Sequence, residues 1–427
     1  MDLTVEGKIY WNGGFETACL GIENGKIVAI KKSLKSDQHL NVGTNLILPC
    51  GIDLHVHFRD PGFPQKEDFS SGSLAAAFGG ISCVFDMPNT QPPVNSISAL
   101  QEKRQIASEK SYIDFGLYGT VTDDNIGKIA ELSPLCHGYK IFLGSTTHAF
   151  DLRSKNLPIA LHETSRTKKP TMIHAEDEYC LKKHEDIERT LIDHLRCRSA
   201  ECEELALKNV LTSVQDLNSP IHICHLSSCE GFETLRNRPP HISVGVTPHH
   251  LLFDVHKISS HPTWYKTNPP IRSSFDRETL WHGVNHGGID VIESDHAPHT
   301  MEDKDVEFSQ APVGIPGVET MYPLFLALVK KEQMKLGTLL SLLCERPAQI
   351  MHLPKGKLEV GRDADFIIVD FKKTDTIKTG NLHSRSGWTP FEGYAALFPT
   401  LVFIRGEKII DDRQMLVKPG FGKFIGD

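Results

Sequence analysis

The sequence predicts an α/β protein: a closed, TIM-like (β/α)8 barrel carrying a small β-domain built from both chain ends. Three observations predict it. Between residues 51 and 294, eight short apolar runs alternate with polar loops and helix-compatible segments, the rhythm of parallel β/α units. Both ends of the chain carry short alternating segments separated by turn residues. At 427 residues the chain can bury one large core and a smaller one beside it.

The N-terminal segments lie at 8–10, 19–22 and 26–30, with Asn24-Gly25 as a hairpin signal before the last. The eight barrel runs follow at 51–57, 81–86, 112–118, 138–143, 171–174, 221–225, 242–246 and 289–293. Stretches of helical composition lie between them, among them 71–78, 98–109, 201–214 and 276–286. Near the C-terminus, 364–370 and 400–405 read as strands, with Gly406-Glu407 as a turn before 408–410. Neither end can bury a core alone. Residues 1–48 together with 356–427 are therefore expected to form one discontinuous β-domain, and 49–355 the barrel. There is no low-complexity segment and no repeat of solenoid length.

Composition excludes several classes. A hydrophobic content of 39% and a charged content of 23% are ordinary for a soluble enzyme. The formal charge of −8 argues against a nucleic-acid binder, which carries a basic face. No apolar stretch is long enough to span a bilayer, and an N-terminus with Asp2 and Glu6 lacks the signal-peptide pattern, so a cytoplasmic location is expected by elimination. The ten cysteines contain no C-x-x-C, and the Cys197/Cys202 and Cys224/Cys229 spacings are too loose for a zinc motif. They read as reduced thiols, mostly buried. The 22 histidines prove nothing by number; position has to select the functional ones.

Position selects the run 52–59 first. Strand side chains alternate, so Ile52, Leu54, Val56 and Phe58 should share one face and Asp53, His55, His57 and Arg59 the other. Two imidazoles two residues apart can bind one metal ion, and Arg59 is placed to hold an anion beside it. A lone His-x-His is incidental far more often than not; one on a buried-looking strand before the turn Asp60-Pro61-Gly62 is a stronger signal.

Catalytic groups of such barrels come from the C-terminal ends of the strands. The first run delivers His55, His57 and Arg59, and the second ends in Met87-Pro88-Asn89-Thr90. The fourth holds Lys140, the fifth ends at His174, the sixth at His225, and the eighth leads to Asp295. Any one of these could be structural, but together they should converge on one mouth. Neutral imidazoles with a carboxylate suit zinc. Two dications within ~4 Å need an anionic bridge. Lys140 supplies one if it captures carbon dioxide as a carbamate; the alternative is a barrel lysine paired with a carboxylate. Asn89 and Asn268, each beside prolines, read equally well as turn residues. The His249-His250 pair, followed by Leu251-Leu252-Phe253, reads as support for the barrel mouth.

Taken together, Gly51-Ile-Asp-Leu-His-Val-His-Phe-Arg-Asp-Pro-Gly62, Met87-Pro-Asn-Thr90, Ile173-His-Ala-Glu-Asp177, His225-Leu-Ser-Ser228, Asn268-Pro-Pro-Ile-Arg272 and Asp295-His-Ala-Pro-His-Thr300 resemble the signatures of the dihydroorotases, in the amidohydrolase superfamily. Gly361-Arg-Asp-Ala-Asp365 also fits the superfamily. The resemblance implies two zinc ions: His55 and His57 bind the more buried one with Asp295, and His174 and His225 bind the other. Lys140, N6-carboxylated, would bridge them. It further implies that Arg59, Asn89 and His299 hold the substrate carboxylate, with Asn268 near the ring. Some relatives use an aspartate further along the loop in place of the modified lysine, a part open here to Asp151.

The implied activity is reversible cyclisation of N-carbamoyl-L-aspartate to L-dihydroorotate in pyrimidine biosynthesis, by a metal-bridging hydroxide with Asp295 as general base and acid. A homodimer is expected, with aspartate carbamoyltransferase as a candidate partner. A hydantoinase or allantoinase is the rival enzyme. Arg59 with Asn89 argues against it, because a neutral hydantoin has no carboxylate to clamp. A non-catalytic scaffold is the other rival; such chains lack the metal ligands, whereas every expected position is filled here.

Overall fold

The computed structural model describes residues 1–11, 13–144 and 152–426. The N-terminal strands are β1 (Leu3–Trp11), β2 (Gly14–Glu23), β3 (Lys26–Lys31) and β4 (Gln38–Pro49). The barrel strands follow: β5 (Gly51–Val56), β6 (Ile81–Asp86), β7 (Asp114–Val121), β8 (Gly138–Leu143), β9 (Thr171–Ala175), β10 (Ile221–Ile223), β11 (Ile242–Val246) and β12 (Val291–Ile292). The C-terminal part adds β13 (Phe366–Val369), the paired β14 (Asp375–Thr376) and β15 (Ala395–Ala396), then β16 (Leu401–Ile404), β17 (Glu407–Asp411) and β18 (Gln414–Met415).

Strands β5 to β12 pair in sequence order, and the pairs are parallel. A parallel bridge from Val56 to His296 and the 2.8 Å bond from His57 N to His296 O bring the last strand's exit back to the first. The barrel is therefore nearly closed. The helices start where the sequence supplies caps: Asp68 and Ser71 form a capping box before Phe69–Phe78, and Ser273 and Asp276 form another before Ser274–His286.

The chain ends share one eight-stranded sheet, ordered β18-β17-β16-β13-β4-β1-β2-β3. Its seam is β4 against β13, antiparallel, with Phe366 opposite Pro49. Because β4 runs through Cys50 directly into β5, this sheet anchors the first barrel strand. Val5, Ile27, Ile47, Phe366 and Phe403 form its own apolar cluster.

Two findings depart from the sequence expectations. The first is in β5, which does not keep a single alternation. Asp53 pairs with Val84, yet Val56 pairs with Asp86: three steps on one strand against two on its neighbour. One extra residue is a bulge, and it turns the following side chains to the other face. Ile52 and Leu54 accordingly pack with Cys83, Phe85, Tyr118, Met172 and Cys224 from the other strands, inside the barrel. Val56 and Phe58 join the outer core beside Phe69. Ile52, Leu54, Val56 and Phe58 thus do not share a face. The second departure is a disulfide between Cys180 and Cys202, Cα atoms 5.2 Å apart, linking the helices Glu178–Lys183 and Ala200–Ser213. The other eight cysteines are free, and seven of them are buried. No helix among the described residues is long and apolar enough to cross a membrane.

Candidate active site

At the C-terminal mouth of the barrel lies a cavity of about 350 Å³. All ten residues singled out as candidates line it: His55, His57, Arg59, Asn89, Lys140, His174, His225, Asn268, Asp295 and His299. Asp151, the alternative bridging residue, lies outside the described residues.

His55 and His57, two residues apart on the chain, reach one centre on the cavity side of the barrel. Their Nε2 atoms lie 3.3 and 3.1 Å from the same oxygen, Oδ1 of Asp295. Across the cavity, Nδ1 of His174 faces Nε2 of His225 at 3.1 Å. The rings of His55 and His225 are 5.1 Å apart, which joins the two pairs. Arg59, His225 and Asp295 all adopt positive φ, at 61°, 39° and 46°. Such backbone costs about 1–3 kcal/mol per residue and persists only where the surroundings enforce it, as at functional sites.

The surroundings fix each imidazole. His174 donates from Nε2 to Glu176 at 2.7 Å, and Glu176 in turn is gripped by Arg198. His57 donates from Nδ1 to Oδ1 of Asn89 at 2.7 Å, which leaves the Asn89 amide N–H groups for another acceptor. Glu293 takes the backbone N–H of His225 at 2.7 Å, stands 3.3 Å from His222 and 3.7 Å from Nδ1 of His55. Gly245 makes the space: a Cβ there would meet Glu293 Oε1 at 2.4 Å. Asp53 accepts from the backbone N–H groups of His55 and Ser294, both at 3.1 Å, tying β5 to the loop that carries Asp295. Burial pushes its carboxyl up to about 7.

These carboxylates were not selected by the sequence reading. Glu176 is the second residue after His174, and Glu293 the second before Asp295, so period-two spacing on the same strand ends is the signal that could have found them.

Burial sets the protonation of the histidines. It lowers the His55 pKa to about 4, lowers His57 and His174, and drives His225 well below its ordinary value. All four rings are therefore neutral at pH 7. Burial alone would raise the Asp295 pKa, but the opposing influence of His55, His57 and His225 outweighs it and holds this carboxyl well below the usual range.

The resulting donor set fits metal ions. With Nδ1–H of His57 spent on Asn89, its Nε2 lone pair points at the Asp295 carboxylate. With Nε2–H of His174 spent on Glu176, its Nδ1 lone pair points at His225. Between His57 and Asp295 acceptor faces acceptor, whereas Nε2–H of His225 donates to the His174 lone pair, which leaves Nδ1 of His225 buried without a partner. A divalent cation between His57 and Asp295 relieves that repulsion, the imidazole nitrogens of His174 and His225 offer lone pairs to a second, and neutral imidazole with carboxylate is a zinc-type ligand set. Among the described residues no carboxylate stands within ion-pairing distance of the fully buried Lys140; its Nζ lies 3.2 Å from Cys224 Sγ.

The opposite wall gathers donors. Arg59 is half-buried, with its Nε atom buried and unpartnered, and its Nη2 lies 3.3 Å from Nε2 of His299. Burial lowers its pKa only to about 10, so it is charged at neutral pH. Oδ1 of Asn268 is also buried and unpartnered. A cavity with donors on one side and paired imidazoles on the other suits a small anionic substrate with a hydrolysable carbonyl.

Comparison with known proteins agrees. Residues 46–408 match the model of the amidohydrolase family. The dihydroorotase of Methanosarcina mazei is 39% identical over 442 residues, covering 98% of this chain and 96% of that one. The dihydroorotase of Thermoplasma volcanium is 39% identical over 428 residues, covering 100% and 98%. Among solved structures, the L-hydantoinase (dihydropyrimidinase) from Arthrobacter aurescens superposes with a TM-score of 0.94 at 25% identity, covering 99% of each chain.

Proposed function

The chain belongs to the amidohydrolase family, and from that premise we propose that it is a dihydroorotase, interconverting N-carbamoyl-L-aspartate and L-dihydroorotate. The observation that carries this choice over a hydantoinase is the donor wall. Arg59 with its buried Nε, the free amide of Asn89 and His299 face the same cavity as the imidazole pairs, and a carboxylate is the group they satisfy. Hydantoinase-like structures share the fold at 25% identity, while the dihydroorotases reach 39% along nearly the whole chain.

His55, His57 and Asp295 would hold one metal ion, His174 and His225 a second, and Lys140, as its N6-carboxylated form, would bridge them. Zinc is the ion this donor set suits. Bound there, a divalent pair supplies Lewis-acid polarisation of the ring carbonyl and a lowered pKa for the attacking water.

The chain's own residues do the rest. Arg59, Asn89 and His299 fix the carboxylate, which sets the ring's distance from Asp295. Asn268 Oδ1 accepts a ring N–H. In hydrolysis Asp295, held ionised, takes the proton of the attacking water. It then delivers that proton to the departing ring nitrogen. In synthesis the same carboxyl runs in reverse. We read the protein as a cytoplasmic homodimer, with aspartate carbamoyltransferase as the partner to test.

The test is kcat/KM of metal-loaded Arg59→Met against wild type, on dihydroorotate and on the neutral ring dihydrouracil. Loss of a charged hydrogen bond of ~1.5–3 kcal/mol or more should fall on dihydroorotate alone. Equal losses on both rings would mean that Arg59 supports the site and does not read the substrate.

A further inference from the structure

We propose that the reduced chain holds one further metal ion away from the barrel mouth, a thiophilic dication of the zinc type bound by Cys180, His184 and Cys202. Cys180 and His184 are four residues apart at the end of the helix Glu178–Lys183, so their side chains leave it on one face. Cys202 comes from the helix Ala200–Ser213 beside it, and the Cα atoms of the two cysteines are 5.2 Å apart. The backbone ties these helices independently of the sulfurs, the Asp177 N–H donating to the Cys202 carbonyl at 2.9 Å. Nδ1 of His184 lies 3.5 Å from Sγ of Cys180 and 3.7 Å from Sγ of Cys202. None of the three residues lines the cavity at the barrel mouth.

Those spacings match a coordination polyhedron. Bonds of ~2.3 Å to sulfur and ~2.0 Å to nitrogen put neighbouring ligand atoms about 3.6 Å apart around a tetrahedral ion. The imidazole nitrogen already stands at that separation from both sulfurs. Once their bond is opened, the sulfurs need only part to about 3.8 Å. A dithiol supplies the two electrons and two protons that open it, and itself becomes a disulfide. Binding a dication then releases both thiol protons. Two thiolates and a neutral imidazole around a doubly charged ion leave no net charge to bury. Thiolates select a soft or borderline cation over magnesium or calcium. Two cysteines and one histidine leave the fourth position to water, which reaches it past His184, the half-buried member of the three. A plain S–H···N bond in the reduced chain would draw only one sulfur to the single Nδ1 lone pair, whereas a cation engages both. The ion takes over the tie between the two helices that the disulfide makes in the oxidised chain.

The experiment titrates Co2+ into the full chain without oxygen, once after reduction with a dithiol that is then removed and once with the chain left oxidised. Reduced wild type should gain the near-ultraviolet absorption of thiolate-to-cobalt charge transfer, which imidazole and carboxylate ligands at the barrel mouth do not give. Oxidised wild type should lack it, a control that needs no mutation. Cys180→Ser/Cys202→Ser, its fold checked by circular dichroism, should lose the band. His184→Ala should keep two thiolates but need several-fold more cobalt for half the signal. Added Zn2+ should remove the band from wild type by displacement. No band in reduced wild type overturns the proposal. So does a band that survives in the double variant or in the oxidised chain, since it would then come from other cysteines. A His184→Ala titration that matches wild type overturns the three-ligand site.

Discussion

Nε2 of His174 donates to Glu176 at 2.7 Å, and through that bond Glu176 decides which nitrogen of His174 faces the cavity. His174 lies near the end of β9 and Glu176 just past it, two residues on, and Arg198 bonds to the carboxylate. Burial would raise the Glu176 pKa, but the Arg198 charge and the His174 bond outweigh it and hold it well below the carboxylate range. Glu176→Gln should therefore weaken metal binding at the His174–His225 pair by about 10–100-fold, the usual effect of removing such a support. Competition with a chelator measures it. Unchanged affinity would mean that His174 needs no such orientation.

Asp295 stands within 3.3 Å of both His55 and His57, so it serves the ion site and the proton transfer together. Asp295→Asn should lose turnover by at least ~10²–10⁴-fold, since an amide cannot take up the proton. Single-turnover kinetics at saturating metal would show this. Near-normal turnover would move the proton to another group.

Lys140 is buried against Cys224 and Phe142, without a carboxylate partner among the described residues. A carbamate would give this position the anionic oxygens that two cations require. Intact-protein and peptide mass at Lys140 should reveal added carbon dioxide under mild conditions. Lys140→Ala should lose activity that short-chain carboxylic acids partly restore. An unmodified Lys140 in a fully metal-loaded, active enzyme would rule out the bridge.

Acid sensitivity follows from the buried histidines. Burial holds His55, His137 and His249 down to about 4, against 6.5 for an ordinary imidazole. Between those values the unfolded chain binds protons that the folded chain refuses. Stability is then fully present above about pH 6.5 and falls as pH drops toward about 4. His137 sits away from the cavity, with Nε2 bonded to Ile425 O and Nδ1 accepting from Leu117 N, so part of the effect is independent of metal. Melting temperatures of the metal-free protein across this range should fall toward acid. A flat profile would contradict it.

The Cys180–Cys202 link closes a loop of 22 residues. It ties the helix that follows His174 and Glu176 to the helix that follows Arg198. Chain-entropy arguments give such a loop about 3 kcal/mol. Reduction, or Cys202→Ser, should lower the denaturation midpoint accordingly. Alkylation of the unreduced, denatured protein should leave both cysteines unlabelled; labelled cysteines there would refute the link.

The eight-strand rhythm and the candidate residues were legible in the sequence because both depend on local order. Apolar runs mark buried strands, and a residue just past a run must sit at the barrel mouth whatever its neighbours are. Runs 81–86, 138–143 and 242–246 coincide with β6, β8 and β11 for that reason. What tertiary structure alone decided is register and partnership. The bulge that parts Ile52 and Leu54 from Val56 and Phe58 exists only as a mismatch between β5 and β6. The tautomers of His174 and His57 depend on Glu176 and on Asn89, the latter 32 residues away along the chain. Cys180 met Cys202 because two helices pack side by side. Periodicity reports which face a residue prefers; it carries no information about the atom waiting across the gap, and that atom fixes protons, metals and bonds.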